Sequence, residues 1–112
     1  MFERVQSSLK IQYEIVENPQ DAKKATSKDL GGGGIRLALT ENLDIGTHLK
    51  LNIEIPEKKA KSTIAYGKVV WSRKVEIVGT KPGNYYETGI EFTQVDPLTL
   101  GRIFKVFSEK DK

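Results

Sequence analysis

The sequence predicts an all-β domain: a six-stranded antiparallel β-barrel with one α-helix at its C-terminal end. Three observations lead there. Apolar residues recur at every second position in several short runs, the period of a strand with one face in a core. Gly, Pro, Asn and Asp gather between those runs, as turns require. Only the last segment, after Asp96-Pro97, changes to a helical period.

Taken in order, Leu9, Ile11, Tyr13 and Ile15 alternate with Lys10, Gln12 and Glu14, a half-buried strand over 9–16. Asn18-Pro19-Gln20-Asp21 turns the chain. Residues 22–30 are polar with weak alternation and read as an edge strand. Ile35, Leu37 and Leu39 alternate with Arg36 and Ala38 in the next strand. A loop over 41–47 contains Gly46. Residues 48–55 alternate again, with Leu49, Leu51, Ile53 and Ile55 inward, and Pro56-Glu57-Lys58-Lys59 turns the chain. A longer strand over 62–73 holds Val69, Val70 and Trp71, with Trp71 on the face of Val69. Residues 75–84, with Gly79, Pro82, Gly83 and Asn84, read as a hairpin connection. Tyr86, Thr88, Ile90 and Phe92 alternate as the last strand. Asp96 is a helix N-cap and Pro97 is preset for the first turn. Leu100, Ile103, Phe104 and Phe107 then share one helical face, and Lys105 and Lys110 sit where the dipole favours cations. Gly101 weakens that helix by about 1 kcal/mol relative to alanine. The expected organisation is a single domain over 1–112, with the barrel over about 8–93 and the helix over about 97–109.

The chain has 112 residues, enough for one modest core. Hydrophobic residues make up 38% and charged residues 29%, as in ordinary globular domains. A net charge of +3 is a mild bias toward anionic partners. It falls short of a nucleic-acid tail, because the lysines alternate with acids. The absence of cysteine excludes disulfides and thiolate metal sites and fits a cytoplasmic location. No signal peptide or long apolar run is present, so membrane insertion is not expected. One histidine, no cysteine and no nucleophile–base spacing argue against an enzyme, and no cofactor or metal is expected. Small basic barrels can hold single-stranded nucleic acid, but Trp71, Tyr85 and Tyr86 are not interleaved with a basic stripe, so DNA is not an expected partner.

The stretch Asp29-Leu30-Gly31-Gly32-Gly33-Gly34-Ile35-Arg36-Leu37 is the strongest local signal. Consecutive glycines lose much backbone freedom on folding, so this run implies positive φ or a close approach by another group. It reads as a tight turn feeding a strand, and such turns can present N–H groups to an anion. A phosphate loop would need Lys and Ser or Thr after the last glycine, where Ile35 and Arg36 stand. The dinucleotide fingerprint would need a following helix, and none is signalled. The glycines by themselves are better served by a structural turn without a ligand.

Four pieces, in order, resemble the PilZ domain family, bacterial receptors for cyclic di-GMP. Arg4-Val5 running into Leu9, Ile11 and Tyr13 resembles the end of the family's RxxxR motif and its first strand. Asp29 to Gly34 occupies the place of (D/N)xSxxG. Gly67-Lys68-Val69-Val70-Trp71-Ser72-Arg73 resembles the GxVxW strand, and Tyr86-Glu87-Thr88-Gly89-Ile90-Glu91-Phe92 the GxxF strand. The resemblance covers nearly the whole chain and implies a PilZ-type barrel. Two departures fall on the ligand motifs: the first arginine of RxxxR would precede Met1, and the serine position is Gly31.

The resemblance implies a cyclic di-GMP site at Arg4, Asp29, Gly31, Gly34 and Trp71. An arginine fork suits guanine O6 and N7 or a phosphate. A carboxylate suits the guanine N1–H and N2–H edge, glycines allow close backbone approach, and an indole offers a stacking face. The residues alone leave second roles open. Arg4 is also a terminal charge, Asp29 also a turn cap, and Trp71 also a core residue. Arg36 and Arg73 read as solvated strand charges, and His48 stands alone on a polar strand face. The expected function is a second-messenger receptor and adaptor with an unidentified protein partner. The alternative is a degenerate domain that binds no nucleotide and serves only as a protein-interaction adaptor.

Overall fold

The computed structural model describes residues 5–6, 9–18, 22–31, 33–54, 62–77, 83–98 and 100–101. The strands are β1 (Val5–Gln6), β2 (Lys10–Ile15), β3 (Lys23–Leu30), β4 (Gly34–Leu39), β5 (His48–Glu54), β6 (Ser62–Ile77) and β7 (Gly83–Gln94). They form one sheet in the order β1-β3-β2-β5-β6-β7-β4, and a further β3–β4 pairing closes it. Every pairing is antiparallel. β2 pairs with the first half of β3, and β1 pairs with Asp29 and Leu30 at its end. With β4 on the other side of β3, β1 can only continue the place of β2 in the wall. The result is the expected six-stranded barrel.

Inward positions follow the period of two. Leu9, Ile11, Tyr13, Ile35, Leu37, Leu39, Leu49, Leu51, Ile53, Val69 and Ile90 are all buried in one cluster. Each such Leu or Ile contributes about 1.5–3 kcal/mol by leaving water. Where the wall passes from β1 to β2, the buried Leu9 N–H donates to Ser27 Oγ at 2.8 Å. That bond matters because an unmet buried N–H would cost about 1–3 kcal/mol.

Two expectations change. Residues 22–30 are not an edge strand: β3 is paired on both sides. Its alternation looked weak because the register against β4 shifts between Ser27 and Asp29, adding Lys28 as an extra residue. Residues 75–84 are not all connection either. β6 runs to Ile77 and β7 begins at Gly83, with Ile77 opposite Gly83. Gly83 and Asn84 are tolerated there because β4 pairs with β7 only from Tyr86 onward.

Pro97, Leu98, Leu100 and Gly101 are helical. Asp96 Oδ1 accepts from the Leu98 N–H at 3.1 Å, and its carbonyl accepts from the Leu100 N–H at 3.0 Å. This is the expected N-cap, and it places Leu100 in the core. The remaining helix positions, Ile103, Phe104, Lys105, Phe107 and Lys110, lie outside the described residues. So do Ile55 and the turn at 56–59. Among the described residues, no helix is long and apolar enough to cross a membrane.

Candidate functional site

The glycine stretch joins β3 to β4 as a tight hairpin. The Gly31 N–H donates to the Gly34 carbonyl at 2.8 Å, directly after the Leu30–Ile35 pair. The hairpin is tied sideways as well: the Phe92 N–H donates to the Gly33 carbonyl at 2.9 Å. Positive φ does not explain the described glycines here, since among the described residues only Gly46 shows it, at 93°. Close approach does. A Cβ on Gly34 would overlap the carbonyl oxygen of Ile90 on β7. Gly33 faces open space. Gly32 lies outside the described residues.

Asp29 stands at the mouth of this hairpin, opposite Gln6 of β1. Arg4 lies outside the described residues, directly before β1. Asp29 is buried and ion-paired: Oδ2 accepts from Arg36 Nη2 at 2.8 Å. Arg36 Nη1 reaches Glu87 Oε1 at 3.3 Å, and Glu87 Oε2 accepts from Arg73 Nη2 at 2.6 Å. Asp29, Arg36, Glu87 and Arg73 thus form a charge-balanced row across the outer face of β3, β4, β7 and β6. The Arg73 bond, reinforced by the nearby Arg36 and Lys28 charges, holds the Glu87 carboxyl below its ordinary range despite partial burial. The expectation of a solvated strand charge is corrected for Arg36, which strand pairing holds between Asp29 and Glu87; Arg73 stays solvent-exposed as expected, with Glu87 as its partner. Arg36 Nε is buried with no partner among the described residues.

Trp71 is not on the face of Val69. The β6–β7 register shifts between them, so Val69 faces Ile90 and Trp71 faces Gly89 with Val70 as the extra residue. That bulge turns the indole to the outer surface, where it is 41% exposed, while Val69 is fully buried. The indole lies across Gly89: a Cβ there would overlap Nε1 and Cε2. Arg36 faces the same glycine from β4. Gly33, Gly34, Arg36, Val70, Trp71 and Gly89 line an open groove of about 210 Å³. That is below the ~300–1,000 Å³ of a site enclosing a whole ligand, and suits one planar group.

Of the expected site residues, the groove brings together Gly34 and Trp71, and the ion-paired row brings Asp29 beside them through Arg36. Gly31 is buried in the hairpin base. Sequence reading gave Arg36 only as a strand charge and did not place Gly89 in the groove that both line. Arg36 carries a usable signal, two positions after Gly34 and so on the same side of β4. Gly89 acquires its role only from its partner strands. His48 is not alone on its strand face: its Nδ1 lies 2.7 Å from Glu17 Oε1, and neither residue lines this groove. A larger groove of about 770 Å³ crosses β2, β3 and β5 and contains none of the expected site residues. Among the described residues, no group of three His, Asp or Glu side chains converges on a metal position.

A six-stranded antiparallel barrel with a glycine hairpin, an acidic mouth and an outer indole defines a small β-barrel module with a groove on its outer surface beside that hairpin. The family model described as "PilZ domain" matches residues 1–106, and the chain belongs to that family. No curated protein matches the sequence significantly. Among solved structures, the PilZ domain of YcgR from Escherichia coli with c-di-GMP has a TM-score of 0.72 at 13% identity, covering 98% of this chain and 91% of that one. The Bacillus subtilis inhibitor of motility, MotI/DgrA, has a TM-score of 0.70 at 16% identity, covering 98% and 50%. PlzA of Borreliella burgdorferi in complex with c-di-GMP has 0.58 at 10%, covering 98% and 53%. The chain thus spans about half the length of the last two. At these identities the likeness is one of fold.

Proposed function

We propose that this domain is a cyclic di-GMP receptor and adaptor module, with the nucleotide on the outer face between the start of the chain and the glycine hairpin. One observation carries the reading: β1 lies directly beside Asp29, with Gln6 opposite it, so the chain that follows Arg4 runs along the mouth of the hairpin. Family membership and the c-di-GMP complexes of YcgR and PlzA support it. In this reading Asp29 takes the guanine N1–H and N2–H edge, sharing or releasing Arg36. The freed guanidinium then faces the ligand, and Trp71 stacks on a base above Gly89. Gly31 and Gly34 let the backbone approach, and Arg4 supplies a phosphate or guanine contact. A change in the order of the N-terminal segment on binding would alter the surface that a protein partner reads. The cytoplasmic location expected from composition goes with this reading.

A second reading, an adaptor that binds no nucleotide, is favoured by one observation: the Asp29 carboxylate is already held by Arg36. Titration calorimetry with cyclic di-GMP separates the two. For a receptor, the protein releases heat on titration, and Asp29→Asn weakens binding by about ten- to a hundredfold, the size of one charge-assisted bond. Gly31→Ser tightens it by up to about tenfold, the size of a neutral hydroxyl bond. No heat from the protein at about 1 mM ligand overturns the receptor reading and leaves the adaptor.

A further inference from the structure

β6 is longer than its neighbour on one side. β5 pairs with it from Ser62 to Lys68 and then ends. The loop before β5 covers one more step: the Val69 N–H donates to the Thr47 carbonyl at 2.9 Å, and the Val69 carbonyl accepts from the Gly46 N–H at 2.7 Å. Ser72 Oγ donates to Asn42 Oδ1 at 3.1 Å. Beyond that, none of the described strands pairs with this side of β6 from Arg73 to Ile77, while β7 occupies the other side throughout. Among the described residues this stretch is an unpaired edge, a template for another strand.

The direction of its backbone groups follows from the ladder. The Phe92 N–H points to Gly33, on the β4 side of β7. Alternation along β7 then turns Glu87 and Tyr85 toward β6, where they face Arg73 and Val75. Arg73 and Val75 are thus bonded inward, and Lys74 and Glu76 direct their N–H and C=O groups to the open edge. Val69, whose groups point away from β7, agrees once the extra residue Val70 is counted. Lys74 and Glu76 are both exposed.

We propose that this edge pairs antiparallel with the same edge of a second copy of the chain, centred on Val75 opposite Val75. In that register Lys74 and Glu76 exchange both backbone bonds with their counterparts, and each lysine lies directly opposite a glutamate on the same face. Two opposite-charge pairs result. The neighbouring two-fold registers that keep the outward groups in phase put lysine opposite lysine or glutamate opposite glutamate, which is unfavourable. Charge thus selects one register and one partner, a copy with the same Lys-Val-Glu order. The loop at Asn42–Thr47 limits the pairing to the outer part of β6, so the association is weak and concentration-dependent. This surface does not use the glycine groove, and the proposal stands whether or not nucleotide binds.

The test is sedimentation equilibrium up to about 1 mM chain, with circular dichroism confirming that each variant is folded. The wild type shows a monomer–dimer equilibrium. Lys74→Glu and Glu76→Lys, each alone, place like charges opposite in the dimer and weaken it roughly tenfold or more. An equimolar mixture of the two single variants associates as a heterodimer, and the double variant Lys74→Glu/Glu76→Lys regains the wild-type equilibrium. A wild type that stays monomeric at the highest concentration overturns the proposal. So do single variants that dimerise like the wild type, or a mixture that gains nothing.

Discussion

Replacing Gly89 with alanine tests how the groove beside the glycine hairpin is built. The new Cβ would overlap Nε1 and Cε2 of the Trp71 indole and sit 2.6 Å from its Cδ1. No side-chain Cβ tolerates such distances, so the ring must leave its seat. It can, because the bulge at Val70 has already placed it on the outer surface, 41% exposed, with water beside it. The cost is therefore lost indole contact plus modest strain, about 1–2 kcal/mol, the lower part of the range for overpacking. Gly34 would be costlier, since its neighbour is a main-chain carbonyl that cannot swing aside. In a chain of this size the loss corresponds to a fall in Tm of roughly 4–10 °C. The chain has a single tryptophan, so its fluorescence reports this seat alone. Gly89→Ala should shift emission to longer wavelength and raise quenching by iodide, alongside the Tm change. Unchanged emission and unchanged Tm would refute the account of Gly89 as the seat of the indole.

Two further predictions concern pH. The Arg73 bond lowers the Glu87 pKa in the folded state from its ordinary 4.5, so its contribution is complete above that value and is lost as pH falls through the folded pKa. Glu87→Gln should cost about 1–2 kcal/mol at neutral pH, moderated by the solvent exposure of Arg73, and should flatten the acid decline in urea-denaturation stability. An equally steep decline in the variant would count against the row. At the other limb, burial, followed by the 2.6 Å bond to Glu41, pushes the Tyr13 phenol well above its ordinary range. Its stabilising effect is complete below the unfolded pKa and lost as pH rises through the folded one. Ultraviolet titration of the four tyrosines should show one that ionises only as the barrel unfolds. Tyr13→Phe should remove that lagging step and lower stability by about 1 kcal/mol.

The acid and base limbs report different parts of one barrel. Glu41 is held by Lys23 first and Tyr13 second, at the end where β2 and β3 meet the loop after β4. Glu87 sits on the outer face, tying β4 to β6 through β7. Loss of one should leave the other intact, since no side chain is common to both networks.

What the chain determined by itself was local. Alternation identified β2, β4, β5 and the barrel part of β7, and Asp96-Pro97 marked the helix start, because each signal depends only on neighbours along the backbone. The resemblance of four ordered segments to PilZ was legible for the same reason. Tertiary structure decided the rest. The extra residues at Lys28 and Val70 are extra only relative to a partner strand, so counting by twos carried Trp71 to the wrong face. The row Asp29–Arg36–Glu87–Arg73 draws on four strands, and only their register brings its charges within bonding distance. Gly89 and the open edge of β6 acquire meaning in the same way: an alternating run shows that a strand will form, but which groups it meets across the sheet is set by the partners beside it.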